Sequence, residues 1–271
     1  MKNYNFNVEK VTSNCIQWIK EWFEQNGKGC KAVIGMSGGK DSTIAAALCA
    51  KALGSENVIG VAMPDKGQGI NDADKICEHL GIRYMYAPIA GITAEFGHMW
   101  TALDYKWSEQ TEQNIPPRVR MTMLYAIAQT LNGRVANTCN LSEDFVGYMT
   151  LYGDQAGSFS PLGKLTVTEI LQIGDYIGLP YEMVHKTPDD GLPHSSSDEE
   201  KFGFTYAELD RFIREGIVPD GNCTNSDEPK AKKIERMHKG AKFKLNMVKV
   251  PSFSPGRWIF HSINYFITKK D

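Results

Sequence analysis

The sequence predicts an α/β protein, a Rossmann-like doubly wound parallel sheet with helices on both faces. Three observations carry this expectation. Short apolar runs at 31–36 (KAVIGM), 57–63 (NVIGVAM) and 82–88 (IRYMYAP) have the length of buried strands. Helical patterns separate them, and repeated strand-helix-strand units imply right-handed crossovers into a parallel sheet. A glycine-rich turn, Ser37-Gly38-Gly39-Lys40-Asp41-Ser42-Thr43, joins the first run to the helical stretch IAAALCAKAL. In such sheets ligands bind beyond the C-terminal strand ends, where strand order reverses.

The elements follow in order. Residues 8–25 form an amphipathic helix, with Val8, Val11, Cys15, Trp18, Ile19, Trp22 and Phe23 near one face. That face suits packing on the core better than docking a partner. After the first strand and turn, a helix runs to Leu53-Gly54. The second strand ends in a polar turn at 65–69, equally able to border a nucleotide or to be an ordinary turn. A helix at 70–80 stops at Gly81 and leads into the third strand. Residues 89–107 read as a broken helix, and Pro116-Pro117 are expected to start a helix running to Leu131. A fourth strand is expected at 134–138 (RVANT), then a glycine-punctuated loop at 147–155 with Thr150 and Asp154 as possible ligand contacts. Helices follow at 166–177, 206–215 and 228–239, and 242–253 reads as a strand or a basic tail. The Pro-, Gly-, Ser- and Asp-rich stretch 186–200 is expected to be a lid loop. One domain covers 1–271, with its core at about 30–180 and a C-terminal helical segment and tail at 205–271.

Composition bounds the function. A net charge of −2 argues against a general nucleic-acid or membrane surface, and 42% apolar residues are ordinary for a globular chain. No apolar run reaches the roughly 18 residues of a membrane span. The N-terminus MKNYNFNVEK is not a secretory signal, so a cytoplasmic protein is expected. The six cysteines contain no CxxC pair, which speaks against a thiolate zinc site and against disulfides.

The turn at 37–43 is a phosphate cradle by its chemistry. Glycines admit an anion close to the backbone, and the helix N-terminus and dipole favour its charge. Ser37, Ser42 and Thr43 offer hydroxyls, and Asp41 beside a phosphate makes sense with a divalent cation between them. Glu143, after the fourth strand, falls on the same sheet edge and would complete a carboxylate pair for Mg²⁺. The spacing is neither GxxxxGK[ST] nor GxGxxG.

SGGKDS resembles the pyrophosphate loop of the ATP-pyrophosphatases, which cleave ATP between the α and β phosphates and adenylate a substrate. An ordered set of further stretches is similar to the ammonia-dependent NAD synthetases over about 8–253: SGGKDST at 37–43, NIPPRVRM at 114–121, ANTCNLSE at 136–143, FVGYMTLYGD at 145–154 with Pro161-Leu162, and KTPDDGL before DEEKFGFTYAELD. The resemblance implies ATP, deamido-NAD and ammonia as substrates, Mg²⁺ as cofactor and a homodimer. It implies that Gly35, Ser37, Gly38, Gly39, Lys40, Asp41, Ser42 and Thr138 hold ATP. Asp41 and Glu143 would carry the metal, and Lys186 would set a cation by the triphosphate, with Asp41 and Lys186 as the catalytic groups. Arg118, Asp154, Lys164 and Lys244 would meet deamido-NAD. With no room for an amidase domain beside the synthetase region, free ammonia is the expected nitrogen donor.

Several positions depart from the family pattern. Lys40 stands where Gln is common, and Asn137 stands where a glycine precedes the threonine. A lysine is missing near Leu165-Thr166-Val167, with Lys164 as a candidate substitute. Asp189-Asp190 replace a small pair, and Phe243-Lys244 replace His-Lys. Two rival readings are another ATP-pyrophosphatase with a different acceptor, such as a tRNA-modifying enzyme, and an ATP-binding sensor without turnover. The first predicts a basic surface or paired cysteines, and the second is compatible with the departures just named.

Overall fold

The computed structural model describes residues 4–65, 72–103, 105–185, 197–247 and 249–255. Lys186, Lys66–Gly69 of the polar turn, Asp189-Asp190 and most of the expected lid lie outside them.

The chain runs α1 (Val8–Asn26), β1 (Lys31–Gly35), α2 (Lys40–Leu53), β2 (Val58–Ala62), α3 (Ala73–Leu80), β3 (Arg83–Tyr86), α4 (Ala90–Thr101), α5 (Glu109–Thr130), β4 (Gly133–Val135), α6 (Leu141–Val146), α7 (Val167–Tyr176), α8 (Tyr181–Val184), α9 (Asp198–Phe202), α10 (Tyr206–Glu215) and α11 (Lys230–Met247). The four strands form one sheet in the order β3-β2-β1-β4. Every pairing is parallel, with Val33 opposite both Ile59 on β2 and Val135 on β4. The expected doubly wound sheet is therefore present. Strand order reverses at β1, which sits between its successor in the chain and the late strand β4.

Alternation along β1 decides what each face buries. Ala32 and Ile34 join a core with Cys15, Ile19 and Phe23 of α1 and Ile44 and Leu48 of α2. Val33 joins the opposite core with Val119, Met121, Leu124 and Ala128 of α5. The apolar stripes of α1 and α5 are thus core faces. A third cluster packs Leu141, Phe145 and Val146 of α6 against Phe202, Tyr206, Leu209, Phe212 and Ile234. Through it the C-terminal helices clamp the short helix that follows β4.

Three local expectations are corrected. Pro116 and Pro117 do not begin α5; they lie inside it, and Ser108 caps the start by accepting a hydrogen bond from the Thr111 N–H at 3.1 Å. The carbonyls the prolines leave without a helical partner belong to Glu112 and Gln113, both exposed, so water can satisfy them. Residues 198–200 are not lid loop, because Ser197 and Glu200 form a capping box that starts α9. The alternating segment 242–253 is no strand either. Its first part completes α11, and among its described residues only Ser252 bridges, beside Ser160. There Ser160 N–H donates to the Pro251 carbonyl at 2.8 Å, and Phe253 is buried against α1. No described helix is long and apolar enough to cross a membrane.

Candidate active site

The site grows from the C-terminal ends of β1 and β4. Gly38 turns the chain out of β1 with φ +79°, a conformation open to glycine and strained for other residues. Gly39 is the N-cap of α2, and no side chain caps that helix. The N-terminal N–H groups of α2 are thus left to a ligand, as an anion site requires. Ser37 Oγ accepts from the Gly39 N–H at 3.2 Å and lies 3.3 Å from Ser42 Oγ, which keeps both hydroxyls at the turn. Ser42 Oγ and Thr43 Oγ1 both donate back to the Gly39 carbonyl, at 3.1 and 2.8 Å, and stiffen the first helical turn.

On the other side of the strand-order reversal, Asn140 N-caps α6. Its Oδ1 accepts from the Glu143 N–H at 3.0 Å, and its own N–H donates to Glu143 Oε2 at 3.4 Å, a capping box. Its Nδ2 reaches across the crevice and donates to Asp41 Oδ1 at 3.1 Å. One residue therefore ties the two acidic groups together, Asp41 through its side chain and Glu143 through its backbone N–H. Burial and the Asp41 charge push the Glu143 carboxyl above the usual carboxylate range, against the opposing pull of Lys40. Two carboxylates in a poorly solvated spot are hard oxygen ligands, and beside a helix N-terminus that draws phosphate oxygens they suit a Mg²⁺ ion that keeps those oxygens as further ligands. Asp41 and Glu143 would hold it.

Lys40 occupies the middle of this arrangement. Its Nζ lies 2.9 Å from Asp41 Oδ2, with side-chain exposures of only 13% and 19%. It also stands over the Tyr206 ring, 5.6 Å from the centroid. Burial disfavours the ammonium, but the charges of Asp41, Glu143 and Asp198 outweigh it and hold the lysine above its ordinary range. Tyr206 Oη donates to Asp198 Oδ2 at 3.3 Å, so α9 and α10 wall the loop from the side. Asp198, Tyr206 and Asn140 were not among the expected site residues. Asn140 had a local signal, the N-x-x-E spacing of a capping box. Tyr206 and Asp198 lie in the stretch DEEKFGFTYAELD, but nothing in it pointed to the phosphate turn, more than 150 positions away.

The remaining expected residues divide. Thr138 follows β4 on the same edge, half-buried, and Gly35 ends β1. Arg118 Nε donates to the Leu151 carbonyl at 3.2 Å, whereas Arg120 Nε turns to the Met63 carbonyl at 3.0 Å, so one arginine serves the 147–155 loop and the other the end of β2. Asp154 Oδ1 accepts from the Thr150 N–H at 2.8 Å, and Thr150 Oγ1 donates to Asn114 Oδ1 at 2.9 Å. Lys244 Nζ donates to the Gly147 and Met149 carbonyls at 2.8 and 2.6 Å. Thr150, Asp154 and Lys244 thus shape the 147–155 loop, each engaged with protein partners.

The departures acquire physical reasons. Asn137 Nδ2 donates to the Asp154 carbonyl at 2.8 Å, while its Oδ1 accepts from Ser160 Oγ at 2.9 Å and from the Cys139 N–H at 3.1 Å. It is a buried knot between β4 and the loop, and Gly157 makes room for it, since a Cβ there would fall 2.6 Å from Asn137 Cβ. Leu165, Thr166 and Val167 are all buried, so that stretch is core. Beside them the Lys164 carbonyl accepts from Arg214 Nη2 at 2.8 Å, and the Lys164 charge acts on Asp144.

Comparison with known proteins gives a consistent picture. Residues 11–248 match the family described as NAD synthase. The chain is 36% identical over 211 residues to the NH(3)-dependent NAD(+) synthetase of Methanococcus aeolicus, covering 76% of this chain and 82% of that one. It is 35% identical over 245 residues to the enzyme of that name from Archaeoglobus fulgidus, covering 89% and 96%. Among solved structures, an NMN synthetase from Francisella tularensis superposes with a TM-score of 0.78 at 27% identity, covering 92% of this chain and all of that one.

Proposed function

The chain belongs to the NAD synthase family, and from that membership we propose that it is an ammonia-dependent ligase that amidates deamido-NAD to NAD through an acyl-adenylate, releasing AMP and pyrophosphate. The observation that carries the site assignment is the Asp41–Asn140–Glu143 link across the strand-order reversal, next to an uncapped phosphate turn.

A nicotinate carboxylate is a poor acylating agent. ATP activates it: a carboxylate oxygen forms a bond to the α-phosphorus, and the bond from that phosphorus to the β-phosphate bridging oxygen breaks. Negative charge then grows on the departing pyrophosphate. Mg²⁺, when bound, supplies Lewis-acid neutralisation of that charge. The α2 N–H groups supply preorganised donors around it, and Ser37, Ser42 and Lys40 add theirs on turning to the phosphates. Ammonia next attacks the acyl carbon, AMP leaves with the carboxyl oxygen it had bonded, and the nitrogen sheds its proton to solvent. The protein's part is positioning and fixed charge more than proton transfer. Lys186 is proposed as a further cation at the triphosphate, Thr138 as an ATP contact, and Arg118 and Asp154 as the dinucleotide side of the crevice.

The overlap with an NMN synthetase favours testing a second acceptor, the nicotinate mononucleotide, which presents the same carboxylate. Six free, buried cysteines support a reducing, cytoplasmic setting. A homodimer is proposed as well. Ile92, Phe96 and Met99 of α4 are 41%, 45% and 69% exposed and offer an apolar face for a second copy.

Purified protein with ATP, Mg²⁺, ammonium and deamido-NAD is expected to yield NAD and AMP in equal amounts. Turnover of the mononucleotide alone would transfer the activity to the smaller acceptor. Turnover with glutamine but not ammonium would overturn the nitrogen donor.

A further inference from the structure

We infer that Lys40 is a resident counter-ion that keeps a free divalent cation off Asp41 and Glu143 until a nucleotide triphosphate takes over its ammonium. This rests on the reading of Asp41 and Glu143 as metal ligands. Lys40 and Asp41 are adjacent in sequence and already paired at 2.9 Å on the inner wall of the crevice. The pair is largely shielded from water, so its attraction and its repulsion of a second cation are poorly screened. Tyr206 lies beneath the ammonium, and Asp198 holds the Tyr206 hydroxyl, so the ammonium rests in a built pocket rather than in solvent.

A dication entering alone must displace this ammonium or sit beside it. A triphosphate changes the balance. It lands on the α2 N-terminus and offers oxygens to which the four-carbon lysine stem can swing. Asp41 is then released to the metal that the phosphates bring with them. Metal and nucleotide therefore bind as one unit. A neutral side chain at position 40 uncouples them and lets the carboxylate pair collect metal by itself.

The test is a titration of the full chain with Mn²⁺, a spin-active stand-in for Mg²⁺, reading free Mn²⁺ by electron paramagnetic resonance. Without nucleotide, K40Q is expected to bind Mn²⁺ at least about 10-fold more tightly than the natural chain, the scale on which a neighbour tunes a metal site. K40R, which keeps the charge, should bind as the natural chain does. K40M serves as the second neutral variant if K40Q does not fold. With a non-hydrolysable ATP analogue present, the gap between K40Q and the natural chain should close. Neutral variants no tighter than the natural chain without nucleotide would overturn the inference. The D41N/E143Q double variant tests the underlying reading separately. If it loses Mn²⁺·nucleotide binding while K40Q gains nothing, only the role of Lys40 falls. If it binds Mn²⁺·nucleotide like the natural chain, the metal assignment falls and this inference with it.

Discussion

Asn140 Nδ2 donates a hydrogen bond to Asp41 Oδ1 at 3.1 Å across 99 positions of sequence, and the same residue's N–H donates to Glu143. One residue thus holds both carboxylates, Asp41 through its side-chain amide and Glu143 through its backbone N–H. Asn140→Asp keeps the shape and loses the donor. Its kcat/KM is expected to fall about 10- to 100-fold, with a higher Mg²⁺ requirement, as for other residues that orient metal ligands. A Mg²⁺ titration of steady-state rates checks this, and an unchanged Mg²⁺ dependence would count against the bridging role.

Asp41→Ala removes a proposed ligand from the phosphate turn. A loss on the order of 10²-fold or more in kcat is expected, the scale of deleting one charge-stabilising group. Single-turnover AMP formation measures it. Wild-type turnover would refute the role assigned to Asp41.

Arg214 and Glu169 form a buried two-pronged pair, at 2.7 and 2.6 Å, that clamps α10 to α7. Arg214→Met leaves a buried carboxylate without its partner. A destabilisation of about 3–5 kcal/mol is expected in urea unfolding. Adding Glu169→Leu should recover much of it, because the loss comes from the stranded charge.

Asn137→Ala is expected to cost about 1–3 kcal/mol, since the Asp154 carbonyl, Ser160 hydroxyl and Cys139 N–H lose a buried partner together. The same unfolding measurement applies, and neutrality would show that water replaces the side chain.

His238 stacks on Phe145 at 3.9 Å between ring centroids, and its Nδ1–H donates to the Phe145 carbonyl at 2.9 Å. Burial, with Lys242 nearby, lowers its pKa in the folded state. The unfolded chain therefore takes up the proton first. The contribution of neutral His238 to stability is present above the ordinary histidine range, about 6.5, and declines as pH falls below it. Comparing unfolding midpoints at pH 7.5 and 5.5 should show a steeper acid loss in the natural chain than in His238→Phe.

Local chemistry was legible wherever neighbours in sequence are neighbours in space. The strand-turn-helix at 31–53, the Ser-Gly-Gly turn and the carboxylate of Asp41 were all readable, because a short buried strand and a glycine with φ +79° are local requirements. The unbroken apolar run Ala32, Val33, Ile34 suits a strand covered on both faces. The capping boxes at Asn140 and Ser197 were also written locally, although the second was hidden within a stretch rich in loop-forming residues.

Long-range placement was legible only as far as the shared sheet edge of Asp41 and Glu143. Only the order β3-β2-β1-β4 puts β4 beside β1 and so brings Glu143 opposite Asp41. Only packing of α10 on α6 lays Tyr206 under Lys40. Pro116 and Pro117 looked like a helix start because proline lacks an N–H, yet Ser108 supplied a better cap and the released carbonyls belong to exposed residues. By itself the sequence determined the α/β class, the phosphate turn and the chemical types of the site. The tertiary structure decided which charges meet, since Coulomb and hydrogen-bond energies depend on separation in space and on exclusion of water, and neither is encoded by distance along the chain.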